Sequence, residues 1–366
     1  MIQKTAIGDF AALCGRVPVL DVRSPAEYAH AHIPGAHSLP LFSDDERKVV
    51  GTLYKQESRE QAIKAGLDYF GVKMRRMVEQ VEELLQVSGS KAQGEEKTLV
   101  VHCWRGGMRS AGVAWLLDLY GFDVRVLVGG YKAYRRWALK QFEQAYDFKV
   151  LGGYTGSGKT ELLHRLAVSG HAVVDLEGIA HHKGSAFGAL GEQPQPRQEQ
   201  FENDLALELY RVQERAGSGA IWLEDESRRI GNVNLPERLW NTMRKAPLYF
   251  LDIPFEERLD YLVKVYGRYG KEELANPVMR ISKRLGGLNT KNALNYLVEN
   301  NYKECFRILL HYYDKFYKQD IVNREAANES ITTIPCEHVS AEENYELLKY
   351  KVWKYKVDMY EGEGEV

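Results

Sequence analysis

Short apolar runs alternate with helical periodicity through the first 140 or so positions. Residues 17–22, Val17-Pro18-Val19-Leu20-Asp21-Val22, are an apolar run carrying one acid, and two more runs follow at 98–102 and 123–128. Runs of this length predict buried strands. Between the first two, Met74, Met77, Val78, Val81, Leu84 and Leu85 recur at helical spacing and predict a helix over 74–87. Residues 88–97 are rich in Ser, Gly, Lys and Gln and predict a surface loop. A strongly apolar helix is expected at 111–120, directly after the second strand. Strands alternating with helices predict a parallel sheet.

A second unit of the same kind opens near Phe148. Residues 149–152 read as a strand, followed by a glycine-rich turn and a helix over 161–168. Further strands are expected at 172–175, 220–224 and 247–252, each closing on an acid where the functional edge of a parallel sheet lies. No hinge rich in Pro, Gly or Ser separates the units, so the linker is expected to be short and helical, around 134–146. From Pro254 onward the pattern turns helical and rich in tyrosine, and the tail 361–366 reads as frayed low complexity. The expected fold class is α/β: a parallel-sheet domain at 1–142, a second α/β domain at 143–255, and a helical C-terminal extension at 256–366.

Composition narrows the class of protein. A chain of 366 residues suggests about two domains, or three small ones. Lys plus Arg total 49 against 51 Asp plus Glu, so bulk charge does not announce a nucleic-acid binder. No run reaches the roughly 18 apolar residues of a membrane span, and Met1-Ile2-Gln3-Lys4-Thr5 lacks the apolar core of a secretory signal. Cys14, Cys103, Cys305 and Cys336 are scattered, with neither a CxxC pair nor a zinc-like spacing. The expectation is a protein of the reducing cytoplasm, without a membrane partner.

Two loops carry candidate chemistry. The first is His102-Cys103-Trp104-Arg105-Gly106-Gly107-Met108-Arg109-Ser110, between a buried strand and an apolar helix. Backbone amides and a helix N-terminus converging there stabilise a thiolate, and Arg105 and Arg109 add positive charge. Cys103 is therefore expected to have a lowered pKa and to act as a nucleophile, the alternative being a buried structural cysteine. The same loop fits His-Cys-x5-Arg-Ser, the signature of cysteine-dependent phosphatases.

The second loop is Gly153-Tyr154-Thr155-Gly156-Ser157-Gly158-Lys159-Thr160, a complete G-x4-G-K-T between a strand and a helix. That context marks a P-loop of the NTPase type. Gly153, Thr155, Gly156, Ser157 and Gly158 would cradle a diphosphate, Lys159 would balance its charge, and Thr160 would ligate Mg2+. Asp175-Leu176-Glu177 and Glu224-Asp225-Glu226, at two strand ends, are candidates for holding magnesium-bound water, with helix capping as the plainer reading. His181-His182-Lys183-Gly184-Ser185 is a further phosphate candidate or a solvated loop. His30 and His32 lack a convincing third metal ligand.

Between Lys264 and Lys318 eleven Lys or Arg face five Asp or Glu, with seven tyrosines interleaved. Positive charge neutralises phosphates and aromatics stack unpaired bases. Arg280, Lys283 and Arg284 are the phosphate-contact candidates; a solvated helical face with half-buried tyrosines is the other reading.

Asp21-Val22-Arg23-Ser24-Pro25-Ala26-Glu27-Tyr28, His32-Ile33-Pro34-Gly35-Ala36, the Cys103 loop and Gly129-Gly130-Tyr131 together resemble a rhodanese-like domain, in that family's order. Rhodaneses carry sulfur or selenium on the loop cysteine. A rhodanese-like domain followed by a P-loop resembles the tRNA 2-selenouridine synthases over nearly the whole length. Supporting blocks are Gly51-Thr52-Leu53-Tyr54-Lys55, Asp175-Leu176-Glu177-Gly178, Gly184-Ser185-Ala186-Phe187-Gly188, Glu226-Ser227-Arg228 and Arg284-Leu285-Gly286-Gly287. The resemblance implies that wobble 2-thiouridine in tRNA becomes 2-selenouridine through an S-geranyl intermediate. Geranyl diphosphate and selenophosphate are the implied co-substrates, with Mg2+ at the P-loop and a selenophosphate-supplying enzyme as a partner. It also implies that Cys103 carries selenium as a selenosulfide-type adduct, with Arg105 and Arg109 orienting the selenophosphate. Two alternatives stay open: a rhodanese-fold cysteine phosphatase with a regulatory P-loop domain, and a P-loop kinase or ATPase with a sulfurtransferase side domain.

Overall fold

Every side chain of Thr98–His102, Thr-Leu-Val-Val-His, is buried, as a central parallel strand covered on both faces requires. A computed structural model of the chain describes residues 1–87, 98–217, 219–327 and 330–354. The loop expected at 88–97 and the tail at 361–366 lie outside the described residues. The chain divides into two compact units. One is Met1–Phe142 with Glu199–Leu207; the other is Glu143–Gln198 with the described residues from Glu208 onward.

The strands of the first unit are β1 (Gln3–Thr5), β2 (Val19–Asp21), β3 (His37–Ser38), β4 (Thr98–His102) and β5 (Asp123–Leu127). They pair in parallel in the order β1-β5-β4-β2-β3. Leu20, Leu99, Val101, Val113, Leu117 and Val124 form the core, joined by Met77, Val78 and Val81 from the helix Met74–Val87. That helix has the bounds its periodicity predicts. The apolar helix after β4 is Met108–Tyr120, capped at its end by Gly121 at φ +107.

Two features differ from the pattern-based reading. The stretch expected to be a linker is mostly the helix Gly130–Gln141, whose Tyr131, Tyr134 and Ala138 are buried. Spaced three and four apart, they form an apolar face that belongs to the core of this unit. The helices Asp44–Gln56 and Arg59–Gly71 were not predicted. The first buries none of its residues fully, yet it carries Val49, Val50, Leu53 and Tyr54 at helical spacing, and Ser43 and Glu46 close a capping box at its start.

The second unit holds β6 (Phe148–Gly153), β7 (Ala172–Val173), β8 (Ile221–Glu224), the short antiparallel pair β9 (Arg229–Ile230) and β10 (Val233–Asn234), β11 (Leu248–Asp252) and β12 (Ile331–Pro335). Its parallel sheet runs β12-β11-β6-β8-β7. After Pro254 come the helices Phe255–Tyr266, Lys271–Arg280, Ser282–Leu285, Gly287–Val298 and Tyr302–Ala326. They close over a core that includes Leu259, Leu274, Val278, Leu297 and Leu310. The helical region then returns a strand: β12, Ile-Thr-Thr-Ile-Pro, is mostly β-branched and pairs along all of β11.

Candidate active sites

In the first unit, Cys103 leaves the C-terminal end of β4 and its loop bends back before the helix Met108–Tyr120. Gly106 sits at φ +65, where a Cβ would come 2.6 Å from the Leu127 carbonyl oxygen, so only glycine fits. The Gly129-Gly130-Tyr131 block clamps the loop from the other side. Tyr131 N donates to Cys103 O at 2.9 Å, and Lys132 N donates to Trp104 O at 3.0 Å.

The sulfur is held as an acceptor. Gly107 N donates to Cys103 Sγ at 3.3 Å, and Ser110 Oγ lies 3.3 Å away. Burial pushes the thiol up. The Ser110 hydroxyl, the amides of Ser110 and Arg105, and the Arg109 charge outweigh it and leave the pKa lowered. Arg109 donates to Glu27 at 2.7 Å, and the same carboxylate accepts from Ser24 N at 3.0 Å. The Arg105 side chain is exposed, so its backbone is what reaches the sulfur.

The other motif blocks form the frame. Asp21 and Arg23 make a buried bidentate pair, Arg23 also donates to Ala31 O at 2.7 Å, and its guanidinium lies 4.0 Å from the Tyr131 ring centroid. Tyr28 Oη donates to Ala36 O at 2.7 Å. His32 stacks on Tyr28 at 4.0 Å, a structural role. Among the described residues no group of three or more His, Cys, Asp or Glu is placed to hold a metal ion.

In the second unit, β6 runs into the P-loop, and Gly156 and Gly158 take φ +80 and +69. Lys159 Nζ donates to Gly153 O at 3.1 Å, holding the loop closed. Burial pushes the Lys159 pKa down, but Tyr317 and the carboxylates of Glu177, Glu226 and Asp225 raise it, so the ammonium stays charged. Thr160 Oγ1 donates to Glu177 Oε2 at 3.1 Å. Glu224 Oε1 accepts from Glu177 N at 2.9 Å, while its Oε2 is buried without a hydrogen bond. Burial, and then the neighbouring negative charges, hold Glu224 and Glu226 well above the usual carboxylate range.

Asp175 is the N-cap of the helix Leu176–Ala180 and accepts from Gly178 N at 2.7 Å. It does not line the cavity at the P-loop; Glu177 does. That cavity, of about 710 Å3, is bounded by residues 155–161, by Lys183, Gly184 and Ser185, and by an aromatic wall. Trp240, Tyr261, Tyr266, Tyr313, Phe316 and Tyr317 make the wall. Arg280, Lys283 and Arg284 are exposed and stand outside the cavity. Tyr266, Tyr269, Tyr296, Tyr302, Tyr312 and Tyr313, considered above as base-stacking candidates, pack in or against the helical core.

A model of the rhodanese-like domain matches residues 7–136, and a model of the tRNA 2-selenouridine synthase AAA domain matches residues 146–333. A tRNA 2-selenouridine synthase from Cupriavidus pinatubonensis is 40% identical over 266 residues, covering 71% of this chain and 69% of its own. One from Hydrogenovibrio crunogenus is 35% identical over 341 residues, covering 84% and 90%. The chain belongs to the tRNA 2-selenouridine synthase family. The two loops singled out from the sequence thus fall one in each matched segment of this selenouridine synthase family member.

Several residues of this family member's sites had no signal in the sequence. Arg258 is buried, donates to both carboxylate oxygens of Asp314 at 2.8 and 2.7 Å, and donates to the P-loop carbonyl of Thr155 at 3.1 Å. Arg324, also buried, pairs with Asp225 and, at 3.0 Å, with Asp320. Glu27 and Ser110 lie inside recognisable blocks, yet only the fold shows what they touch.

Proposed function

We propose that the chain converts wobble 2-thiouridine of tRNA to 2-selenouridine in two stages. The sulfur is first geranylated from geranyl diphosphate at the P-loop, and selenium from selenophosphate then replaces it at Cys103. The observation that carries this reading is the second unit's cavity, where a phosphate grip and an aromatic wall share one space of about 710 Å3. A prenyl diphosphate needs both. Membership of the family supports the tRNA and the selenouridine.

In the first stage an electron pair on the thiocarbonyl sulfur forms a bond to the geranyl carbon. The carbon–oxygen bond to diphosphate breaks with its pair on oxygen, and the base loses its N3 proton. Amides of Gly153, Thr155, Gly156, Ser157 and Gly158, with Lys159, receive the growing charge. Were Mg2+ to accompany the diphosphate, the Thr160 hydroxyl beside Glu177 would hold it, and the ion would supply further positive charge.

In the second stage the alkylated sulfur is a better leaving group than bare sulfide. Cys103 is the nucleophile toward selenophosphate, oriented by Arg105 and by Arg109, which exchanges Glu27 for the anion. Its thiolate bonds to phosphorus, and the P–Se bond breaks with its pair on selenium. The selenide displaces the alkyl thiolate at C2, and water then cleaves the S–P bond to give phosphate and the free thiol. Over the whole exchange selenophosphate and water are consumed, and geranyl thiol and phosphate are released, with no change of oxidation state. Arg280, Lys283 and Arg284 would meet tRNA phosphates, in the cytoplasm where a selenophosphate-supplying enzyme works.

The test follows each stage by mass spectrometry of nucleosides from treated tRNA. Cys103→Ser is expected to abolish selenium incorporation and leave geranylation largely intact. Lys159→Ala is expected to lower geranylation by about a hundredfold or more, the scale of a lost transition-state charge contact. Equal loss of both stages in a folded Cys103→Ser protein contradicts the division of labour.

A further inference from the structure

The first unit holds a groove of about 500 Å3 that the chemistry above leaves unused. Its walls are the helices Asp44–Gln56 and Arg59–Gly71 on one side and the start of Met108–Tyr120 on the other. Phe42 and Phe70 are buried beneath it. Tyr54, Leu67, Met108 and Trp115 line it while remaining 55%, 57%, 53% and 51% exposed. Large apolar side chains left open together on one surface mark a place where something apolar binds.

Two further observations say what. One end of the groove is built by Met108 and Arg109, the residues directly after Gly107, whose amide donates to Cys103 Sγ at 3.3 Å. Its charged lining residues are Arg47, Lys55 and Arg109, with no acid among them. An apolar trough that begins beside the reacting sulfur and is bordered by cations suits a hydrocarbon chain attached to a polyanion. The volume lies within the ~300–1,000 Å3 typical of small-ligand sites.

We propose that this groove holds the hydrocarbon chain of the S-alkylated base while selenium replaces its sulfur, an inference that rests on the two-stage function proposed above. Selenide, freed from selenophosphate as the P–Se bond breaks with its pair on selenium and phosphorus passes by way of the Cys103 thiolate to water, supplies the electron pair of the new bond to C2. The C2–S bond breaks with its pair on sulfur, and the departing thiolate takes a proton from water and leaves as the alkyl thiol. Binding energy from the chain is available only to the alkylated base, so the groove sets the order of the stages: unalkylated 2-thiouridine gains nothing there. Arg47 and Lys55 at the rim meet the phosphates of the tRNA that carries the chain, while Arg109 serves the selenophosphate.

The experiment compares tRNA bearing S-geranyl-2-thiouridine with tRNA bearing S-methyl-2-thiouridine, each given to the full chain with selenophosphate. The readout is kcat/KM for 2-selenouridine. The wild-type chain is expected to favour the geranyl substrate by about tenfold or more, the scale of apolar discrimination in a pocket. Ile63→Glu and Leu67→Glu, separate substitutions at partly exposed lining positions, are expected to bring that ratio close to unity, with the S-methyl rate as the internal reference for folding. A ratio unchanged in both variants, or no preference in the wild type, overturns the groove's role. So does a change in oligomeric state at constant ratio, which would make the groove a contact between copies. Failure of the wild type to convert either alkylated tRNA instead strikes the two-stage reading itself.

Discussion

At the scale of single residues, burial alone does not decide what a cysteine can do. Burial pushes the Cys305 thiol up to about 12 and the Cys336 thiol to about 11. Cys103 is buried as well, yet its thiol is lowered, because Ser110, loop amides and the Arg109 charge favour the anion. A thiolate disappears as pH falls through its pKa, so a lowered value keeps Cys103 ionised at pH values where an ordinary thiol is protonated. The thiolate absorbance of the chain minus that of Cys103→Ser is expected to titrate with a midpoint below that of an ordinary cysteine thiol. Ser110→Ala should move that midpoint upward by removing a hydrogen bond to the charged form. A midpoint at or above the ordinary thiol value would show that the loop does not activate its cysteine.

At the scale of elements, the P-loop is held by a strut from the helical region. Arg258, on the helix Phe255–Tyr266, is fixed by Asp314 on Tyr302–Ala326 and donates to Thr155 O. Asp314→Ala leaves a buried guanidinium unpaired and is expected to destabilise the second unit by about 3–5 kcal/mol in chemical denaturation. A loss below about 1 kcal/mol would mean that the pair is not a strut. The P-loop was legible in the sequence because its glycines and Lys159 are local and each has a backbone reason to be there. The strut was not, because Arg258 and Asp314 are 56 positions apart and each resembles an ordinary charged helix residue. The helix Asp44–Gln56 had a local signal, its capping box and Val49, Val50, Leu53 and Tyr54 at helical spacing, although it buries none of these side chains fully.

At the scale of the whole molecule, several of the sequence blocks prove to be the walls of two sites, while Arg284 to Gly287 stand outside the P-loop cavity and Gly51, Tyr54 and Lys55 line the groove of the first unit. Asp21, Arg23, Glu27 and Gly129 to Tyr131 frame the Cys103 loop, and Gly184, Glu226 and Arg228 border the P-loop cavity. Asp175 shows the limit of reading a strand end. Of the two acids expected there, Asp175 caps a helix and Glu177 takes the place beside Thr160. The tyrosines after Pro254 were ambiguous by composition, and six of the seven pack in or against the core. The central claim is that one chain replaces sulfur by selenium at a tRNA base, using both loops. Its most direct measurement incubates the intact protein with 2-thiouridine tRNA, geranyl diphosphate and selenophosphate and weighs the modified nucleoside. The account predicts 2-selenouridine, preceded by an S-geranyl species that accumulates when selenophosphate is withheld. Unmodified 2-thiouridine, alongside brisk hydrolysis of an aryl phosphate or a nucleoside triphosphate, would contradict it.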